Sequence, residues 1–460
     1  MVDLFHILSM GASSLDAQTG AAATNANNLE NVDTPGYARQ MARLEPSLPS
    51  ELVGNTYVGN GATLGQVTQA RDRFVEAQLP VAFGNAASSD ATAKVLGAVS
   101  VLDPQGSGGL SSALSGFYSA FSALSQNASD PSLRQAAVAA AGALALSFQQ
   151  TRGSLESARS GADQSVAGDV SEVNSLASQV ASLNGQIRAA SASGAQPNDL
   201  LDARQKAIDQ LAQLTGATVV PTSEGDASLF LPGGAALVSS LQAATLSAVP
   251  DPSNNGHLAL NLSLGGTTSS VSPGGELGGL LSARDGGLGS AVSGLDTLAW
   301  DLAGAINTVH QAGVDLDGNA GQALFTVSSA AGAAAQIAVN PAIVGDTDLL
   351  ATRTTGGTGD ASNVLALLAT SSTPLSGGQD ASATLAQITS AFGAAAQSAS
   401  AASEADDAIK TQLVTMRQST SSVSTDDELV EMQKTQQAYA AIAKVISTTD
   451  SMLDTLVQIT

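Results

Sequence analysis

The sequence predicts an α+β protein that is mainly α, in which the two terminal helices pair as a coiled-coil rod beside a helical body with a small inserted β domain. Three observations predict this fold class. Apolar residues recur at helical spacing near both termini, most of the interior has the same period, and strict alternation replaces it between residues 216 and 275. Helices therefore form the frame, and the alternating segment is the insertion.

The N-terminal segment, residues 1–35, is predicted to form the first half of the rod. Its apolar residues follow steps of four, three and seven, which is typical of a narrow seam that packs on one partner helix. Pro35 disfavours helical geometry in the preceding residue, and Gly36 can adopt positive φ, so the helix is expected to end there. The residues that we expect in the assembly interface are Leu4, Leu8, Leu15, Ala22, Asn27, Asn28, Leu29 and Asn31.

Residues 36–215 are predicted to form a helical body that begins with a β-hairpin. Thr56–Val58 and residues 62–64 flank Asn60-Gly61, a dipeptide typical of two-residue hairpin turns. Beyond about residue 70 the apolar residues take helical spacing.

The rest of the chain continues this alternation of helical and non-helical segments. The alternating leucines Leu258, Leu260, Leu262 and Leu264 are typical of a strand in the inserted domain. The predicted segments are the inserted β domain at 216–275, a long body helix at 276–313, an irregular or β piece at 314–375, more helical body at 376–422 and the second half of the rod at 423–460.

The C-terminal segment has its own seam, in which two heptad positions alternate. Three acidic residues at its start, Asp426, Asp427 and Glu428, suit the N-terminus of a helix because they complement the helix dipole. We interpret the aromatic residue of this seam, Tyr439, as a packing residue. The residues that we expect in the assembly interface here are Met432, Tyr439, Ile442, Ile446, Leu453 and Leu456.

A comparison of magnitudes suggests how the terminal helices become ordered. The C-terminal seam buries about six large side chains, at ~2 kcal/mol each. Ordering the helix fixes the backbone of about thirty residues, and the loss of backbone entropy is counted at each of them. We therefore hypothesise that both ends become fully ordered only when neighbouring copies bury their remaining faces. An ordinary coiled coil within one chain is the alternative.

Composition excludes several classes of function. The chain has 17 basic and 40 acidic residues, a net charge of -23, which disfavours nucleic acid and anionic membrane surfaces as partners. It has no cysteine, so disulfides, thiolate metal sites and a cysteine nucleophile are excluded. No apolar window is long enough to predict a membrane span, and no basic residue precedes Arg39, so no secretory signal peptide is expected.

Motifs for catalysis or cofactor binding are missing from the sequence. No lysine follows a glycine, which excludes a P-loop, and no Gly-x-Ser-x-Gly elbow occurs. His6, His257 and His310 are too scattered to suggest a catalytic triad or a metal site. We therefore predict no catalytic, cofactor-binding or metal-binding residues and expect that the protein is not an enzyme.

One loop resembles the start of a calcium site. Asp315, Asp317 and Asn319 have the spacing of the first three oxygen ligands of such a loop. The sixth position is Ala320 instead of glycine, and the twelfth is Thr326 instead of glutamate. These departures favour a plain turn in which an Asp side chain bonds the backbone.

The residues around the N-terminal turn resemble the flagellar hook-associated protein 1 family. In ATNANNLENVDTPGYARQ, the residues after Pro35, namely Gly36, Tyr37, Arg39 and Gln40, are similar to that family's Gly-Tyr-x-Arg-Gln ending. Hook and rod proteins share a version of this motif, so it alone is not decisive. Further segments resemble the family in the same order: TYVGNGATLGQVTQARDRFVEAQL, DPSLRQAAVAAAGALA, NDLLDARQKAIDQLAQLTGATVV, GGELGGLLSARD, INTVHQAGVDLDGNAGQALF and QQAYAAIAKVISTTDSMLDTLV.

The resemblance implies a structural adaptor subunit of the bacterial flagellum, located where the hook meets the filament. It implies secretion through the flagellar type III apparatus and terminal helices that form an inner coiled-coil domain. The implied partners are the hook protein, the next junction protein on the filament side, copies of the chain itself and an export chaperone at the C-terminal region. Because the insertion is short, we expect that a large outer domain of longer relatives is absent.

The sequence leaves two questions open. Asn27, Asn28 and Asn31 are expected either to bond neighbouring subunits or to cap the helix locally. If they bond neighbouring subunits, Asn28→Leu is expected to impair assembly at the hook and to leave the stability of one chain nearly unchanged. For function, the alternatives are another axial protein of the flagellum, such as a rod or hook component, and a secreted enzyme whose catalytic domain lies within residues 216–375.

Overall fold

The computed structural model describes residues 4–47, 51–53, 56–100, 102, 109–194, 196–222 and 225–459, and it confirms a mainly helical α+β fold. The helices are α1 (Leu4–Glu30), α2 (Arg73–Gly97), α3 (Leu110–Gln126), α4 (Pro131–Ala192), α5 (Asn198–Thr215), α6 (Gly275–Ser282), α7 (Gly289–Ala312), α8 (Ala333–Gln336), α9 (Pro341–Gly345), α10 (Ser362–Ala369), α11 (Ala381–Ser421) and α12 (Thr425–Ile459). The strands are β1 (Gln40–Pro46), β2 (Glu51–Val53), β3 (Thr56–Val58), β4 (Ala62–Gln69), β5 (Thr218–Pro221), β6 (Ala227–Phe230), β7 (Ala236–Ser239), β8 (Gln242–Ala243), β9 (Thr245–Pro250), β10 (Leu258–Leu264), β11 (Thr267–Ser270), β12 (Phe325–Thr326) and β13 (Ala338–Val339).

The terminal helices α1 and α12 pack along each other and form the rod. Small side chains allow the close approach of the two backbones. At Gly11 of α1, a Cβ atom would lie only 2.7 Å from Cγ1 of Ile446 in α12. Ala17 and Ala21, further along α1, are also buried. The rod therefore depends on the absence of bulk at these positions.

The chain after α1 forms a long antiparallel ribbon, and the short hairpin predicted around Asn60-Gly61 is wrong. β1 pairs with β4, from Gln40 opposite Gln69 to Pro46 opposite Ala62, and β2 pairs with β3. Gly61 has a φ of 80°, and the chain passes directly over α1 at this point. A Cβ atom there would lie 2.8 Å from Cγ of Met10. The glycine thus serves a close approach and not a hairpin turn.

The helical body contains two separate apolar cores. The first core lies between α3, the first half of α4, α7, α10 and α11, and it includes the ring pair Phe117 and Phe121, whose centroids are 4.6 Å apart. The second core lies between the second half of α4, α5, α6 and the strands that follow α5. The 62-residue helix α4 runs through both cores and connects them.

The inserted segment forms two antiparallel sheets, one with the strand order β5-β6-β7-β8 and one with the order β11-β10-β9. Leu260 and Leu262 of β10 are buried in the second core, on the face that the alternation predicts. The sheets therefore cover the second half of α4 and complete its core.

Helix α6 continues into α7 through a π-helical turn, Ala283–Leu288. Gly279 of α6 packs tightly on α2, since a Cβ atom there would lie 2.2 Å from the carbonyl oxygen of Ser88. None of the described helices combines the length and the apolar character that a membrane span requires.

The segment after α7 is fixed by buried polar groups. Arg134 of α4 is fully buried and donates to backbone carbonyls, including those of Ala128 at 2.8 Å and Thr347 at 2.9 Å. His310 accepts a hydrogen bond at Nε2 from the Ala351 N–H at 3.0 Å, and burial lowers its pKa. In the loop resembling a calcium site, Asp315 accepts from the backbone N–H of Asn319 at 2.8 Å, which closes a turn.

One partly buried carboxyl group opposes folding at neutral pH. Asp169 of α4 lies beside α6, and its pKa is raised to about 6, first by burial and then by Glu276 and Glu172. Its Oδ2 atom is buried and has no hydrogen-bond partner among the described residues. Because the pKa is higher in the folded state than the ordinary 3.8, the folded chain holds the proton more strongly. Its contribution to stability is present at acidic pH and is lost as the pH rises through 6.

We expect that Asp169→Asn raises the free energy of unfolding at pH 7 and reduces its fall between about pH 4 and pH 6, because the amide needs no proton to stay neutral. Urea unfolding at a series of pH values measures this. The matched control is Asp317→Asn, at an exposed loop position, which should leave the pH profile unchanged. Equal profiles for the two variants would contradict the role of Asp169.

Candidate assembly site at the junction of rod and body

The predicted interface residues of α1 border the strip that α1 buries. Leu4, Leu8, Leu15, Ala22 and Leu29 are all partly exposed. The fully buried positions of α1 are instead occupied by smaller or polar side chains, namely Gly11, Ala17, Ala21, Thr24 and Asn28. The contact between α1 and α12 therefore leaves part of each of these leucines open to another molecule.

The predicted interface residues of α12 divide into two groups. Met432, Ile442, Ile446 and Leu453 are partly buried, along the strip whose buried members are Glu428, Thr435 and Thr449. The other two, Tyr439 and Leu456, are 47% and 51% exposed. The single heptad seam read from the sequence thus contains both residues of the rod contact and residues at the surface.

A second apolar stripe on α12 was missed by the sequence reasoning. Val430, Val445 and Met452 are 50%, 51% and 56% exposed. At 100° per residue they fall within about 60° of one another around the helix, to one side of the buried strip. We call them the α12 flank. The step of seven from Val445 to Met452 is the sequence signal that indicates this stripe.

Asn28 joins the end of α1 to the start of β1. Its Nδ2 donates to the carbonyl oxygen of Gln40 at 2.8 Å, and its Oδ1 accepts from the N–H of Gln40, also at 2.8 Å. The side chain is fully buried. These buried bonds argue against the expectation that Asn28→Leu leaves the stability of one chain nearly unchanged, because the replacement removes the hydrogen-bond partners of the Gln40 N–H and C=O.

Tyr37, Asn27 and Asn31 add further hydrogen bonds around Asn28. The Tyr37 hydroxyl donates to Oδ1 of Asn28 at 2.8 Å and contacts Oδ1 of Asn27 at 3.2 Å. Asn31 donates to the carbonyl oxygen and to Oδ1 of Asn27, at 2.9 and 2.8 Å. Burial, followed by the charges of Asp199, Asp202 and Glu428, raises the pKa of Tyr37 to about 12. The three asparagines all have partners within the chain, and contacts to neighbouring subunits stay a prediction.

The predicted break after α1 contains a tight turn. Thr34 donates its N–H to the Asn31 carbonyl at 3.0 Å, and Tyr37 donates to the Thr34 carbonyl at 3.2 Å. Between them, Pro35 is exposed and Gly36 has a φ of 87°, in the left-handed region that favours glycine. The turn redirects the chain from the rod to the body.

Arg39 connects this motif to the other end of the chain. Its Nε lies 2.6 Å from Oε1 of Glu428, whose side chain is 1% exposed, and its backbone N–H donates to the Ser421 carbonyl at 2.8 Å. The sequence reasoning treated Glu428 only as helix-start charge. Nothing in the sequence indicates a pairing across 389 positions.

Helix α5 contributes two carboxylates that accept hydrogen bonds from residues 38 and 40. The Ala38 N–H donates to Oδ2 of Asp202 at 3.2 Å, and Gln40 Nε2 donates to Oδ1 of Asp199 at 3.3 Å. Arg71 also pairs with Asp202. Burial raises the pKa of Asp202, and its bonds with Arg71 and the Ala38 N–H act in the opposite direction. These bonds hold residues 38–40 on α5. They thereby keep Arg39 in position for its ion pair with Glu428 in the first turn of α12.

We expect that Asn28→Ala lowers the free energy of unfolding by about 2–4 kcal/mol, because it leaves the buried N–H and C=O of Gln40 without partners. Denaturant unfolding of the isolated chain measures the loss. Asn25→Ala, on the same helix at a partly exposed position, is the matched control and should change stability by less than about 0.5 kcal/mol. Similar losses for both variants would contradict the joining role of Asn28.

Two known protein families match parts of the chain. The family described as "Flagellar hook-associated protein FlgK helical domain" matches residues 99–325, and the family described as "Flagellar basal body rod FlgEFG protein C-terminal" matches residues 417–459. Flagellar hook-associated protein 1 of Salmonella typhimurium is 30% identical over 330 residues, which cover 70% of this chain and 60% of that protein. The chain thus spans about 60% of the length of that relative.

Two further likenesses extend over more of the chain. Flagellar hook-associated protein 1 of Bacillus subtilis is 29% identical over 499 residues, which cover 99% of this chain and 98% of that protein. The solved structure of the flagellar hook junction protein FlgK from Burkholderia pseudomallei is similar in fold, with a TM-score of 0.68 and 20% identity, over 75% of this chain and all of that one. These matches confirm the family resemblance seen in the sequence: residues 99–325 match the helical domain of the flagellar hook-associated protein FlgK, and nearly the whole chain is similar to flagellar hook-associated protein 1 of Bacillus subtilis.

Proposed function

We propose that the protein is a structural subunit of the bacterial flagellum that joins the hook to the filament. The observation that carries the proposal is the exposed surface of the rod. Helices α1 and α12 pack against each other and are bonded to the body, yet the α12 flank remains exposed. A surface of this kind suits association with similar rods, and the function requires no chemical step.

The mechanism that we propose is cooperative burial of the rod. Each member of the α12 flank is about half exposed in the single chain. Burying a valine or methionine side chain completely stabilises a complex by about 1–3 kcal/mol, so the flank gives a modest gain for one contact. Many copies side by side multiply that gain. The hypothesis that the terminal helices gain their full order only in the assembly belongs to this proposed mechanism.

The partners that we propose are those that the family resemblance implies. They are copies of the chain itself, the hook protein on one side and the next junction protein on the filament side. An export chaperone at the C-terminal region and secretion by the flagellar type III apparatus belong to the same proposal. The net charge of -23 disfavours nucleic acid and anionic membranes as partners.

Another axial protein of the flagellum remains the second candidate function, because residues 417–459 match a family described for basal body rod proteins. The match of residues 99–325 to the hook-associated helical domain favours the junction role over it. The secreted enzyme is disfavoured because residues 216–375 contain no cysteine and only two histidines, His257 and His310.

Deletion of the gene tests the junction role. We expect that hooks still form and that flagellin is shed into the medium, because no subunit connects it to the hook. The wild-type gene supplied in trans should restore filaments. Intact filaments in the deletion strain would overturn the proposal.

A single charge on the α12 flank tests the proposed surface. We expect that Val445→Asp weakens binding to purified hooks by at least about tenfold and fails to restore motility, because a carboxylate must then be buried. Val445 is 51% exposed, so the unfolding free energy of the isolated chain should change little.

The matched control is Val344→Asp, at a position of the body that is 58% exposed. It should bind hooks and restore motility like the wild type. If Val445→Asp performs as well as this control, the α12 flank is not an assembly surface.

A further inference from the structure

One edge of the inserted sheets is open to another chain. Strand β11 (Thr267–Ser270) is an outer strand of the sheet with the order β11-β10-β9, and all four of its residues are exposed. It follows β10 through the two-residue turn Gly265-Gly266, in which both glycines have positive φ, 60° and 86°, as a type I′ turn requires. The turn and the pairing of Leu264 with Thr267 fix the register of this hairpin.

Two residues of β11 direct their backbone N–H and C=O away from β10. Bonded pairs alternate with non-bonded pairs in an antiparallel ladder. The Val271 N–H donates to the Leu260 carbonyl at 3.0 Å, so Ser269, two residues earlier, also bonds β10. Thr268 and Ser270 therefore face the other way. Within the part of the chain that the structure describes, no backbone group bonds them on that outer edge.

The comparable edges of the inserted sheets are protected. At the far edge of the same sheet, the Leu246 N–H of β9 donates to Oδ1 of Asn174 at 2.7 Å, and the Leu246 carbonyl accepts from Nδ2 of Asn174 at 2.8 Å. Strand β9 ends at Pro250, which has no N–H to donate. In the other sheet, the edge strand β5 ends at Pro221. Strand β11 contains no proline and no charged residue, the devices that keep sheet edges from pairing with other chains.

The surroundings of β11 favour a second copy of the chain as its partner. Residues 258–275 contain no charged side chain, although the whole chain has a net charge of -23. Two copies therefore meet little electrostatic repulsion where these segments face each other, and a strongly charged partner finds no complementary charge there. The edge also complements itself, because two antiparallel strands related by a two-fold axis present the same groups to each other.

We propose that β11 pairs with β11 of a second copy, so that the two three-stranded sheets become one sheet. With the two-fold axis at Ser269, Thr268 of each copy lies opposite Ser270 of the other. Both pairs are of the bonded kind, and two bonds for each pair use every outward N–H and C=O of the two strands. The association is weak, because so few bonds must offset the loss of translational and rotational freedom. It stops at two chains, because a two-fold contact is closed.

The inference is independent of the proposed place of the protein in the flagellum, and disulfide capture in the full chain tests it. Because the sequence has no cysteine, an introduced one is unique. In the proposed pair the two Ser269 positions form a non-bonded pair with Cα atoms about 4.5 Å apart, a distance that a disulfide spans. The two Thr267 positions lie about 13 Å apart along the strands, which is too far for a disulfide.

We expect that Ser269→Cys forms a disulfide-linked dimer at least about tenfold faster than Thr267→Cys under mild oxidation, because only the first pair has suitable geometry. Both positions are exposed on the same strand, so Thr267→Cys is the matched control for random collision. Equal rates would overturn the proposal. An adduct of Ser269→Cys in cells whose mass differs from that of two chains would also overturn it, since the edge would then hold a different protein.

Removal of one outward N–H tests the hydrogen bonds themselves. Thr268→Pro keeps the bonds between β11 and β10, because an edge strand accepts proline where the missing N–H would face solvent. We expect that it abolishes the concentration-dependent increase in the sedimentation coefficient of the wild-type chain and the rapid capture of Ser269→Cys. Thr268→Val keeps the N–H and is the matched control, which should leave both properties unchanged.

The unfolding midpoints of both Thr268 variants should equal that of the wild type, which shows that the hairpin is intact. A dimer that survives Thr268→Pro, or one that is lost in Thr268→Val, would overturn the proposal. If Thr268→Pro lowers the midpoint, the capture rates of Ser269→Cys and Thr267→Cys decide, because neither variant contains the proline.

Discussion

The molecule depends on a small set of buried polar bonds that hold the rod on the body. Asn28 pairs with both the N–H and the C=O of Gln40, so α1 ends where β1 begins. Arg39, the neighbouring residue, pairs with Glu428 in the first turn of α12. The two ends of the chain, 389 residues apart at this ion pair, therefore meet at one point above α5. A buried polar group without a hydrogen-bond partner costs free energy. Breaking one of these bonds therefore destabilises the positions of α1, β1 and α12 together.

Small residues set the spacing of the helices around that point. The chain has 46 glycines and only 3% aromatic residues, and several glycines lie where a Cβ atom would collide with a neighbouring helix. Close backbone approach replaces the interdigitation of large side chains. The consequence for the rod is a narrow buried strip with apolar residues left at its borders, and this links local composition to the association that we propose.

The predictions are confirmed where the allowed backbone angles of a residue decide the structure. They are wrong where the same short motif occurs in two different structural settings. Pro35 and Gly36 predicted the turn after α1, because their allowed φ and ψ angles hardly depend on distant residues. The dipeptide Asn60-Gly61 predicts a hairpin turn. A glycine with positive φ is equally needed where the chain crosses another element closely, and here it crosses α1 at Met10. Likewise, asparagines near a helix end indicated bonding but not whether its partner lay in the same chain.

The amino-acid sequence alone predicts the mainly helical fold class, the two apolar terminal helices, the break after the first helix and the family that the chain resembles. These features follow from periodicity, from the restricted angles of proline and glycine, and from ordered segments of residues. The buried partners of Asn28 and Glu428 and the exposed α12 flank are visible only in the three-dimensional structure. Periodicity reports that a face is buried, whereas the identity of its partner depends on packing between elements distant in the chain.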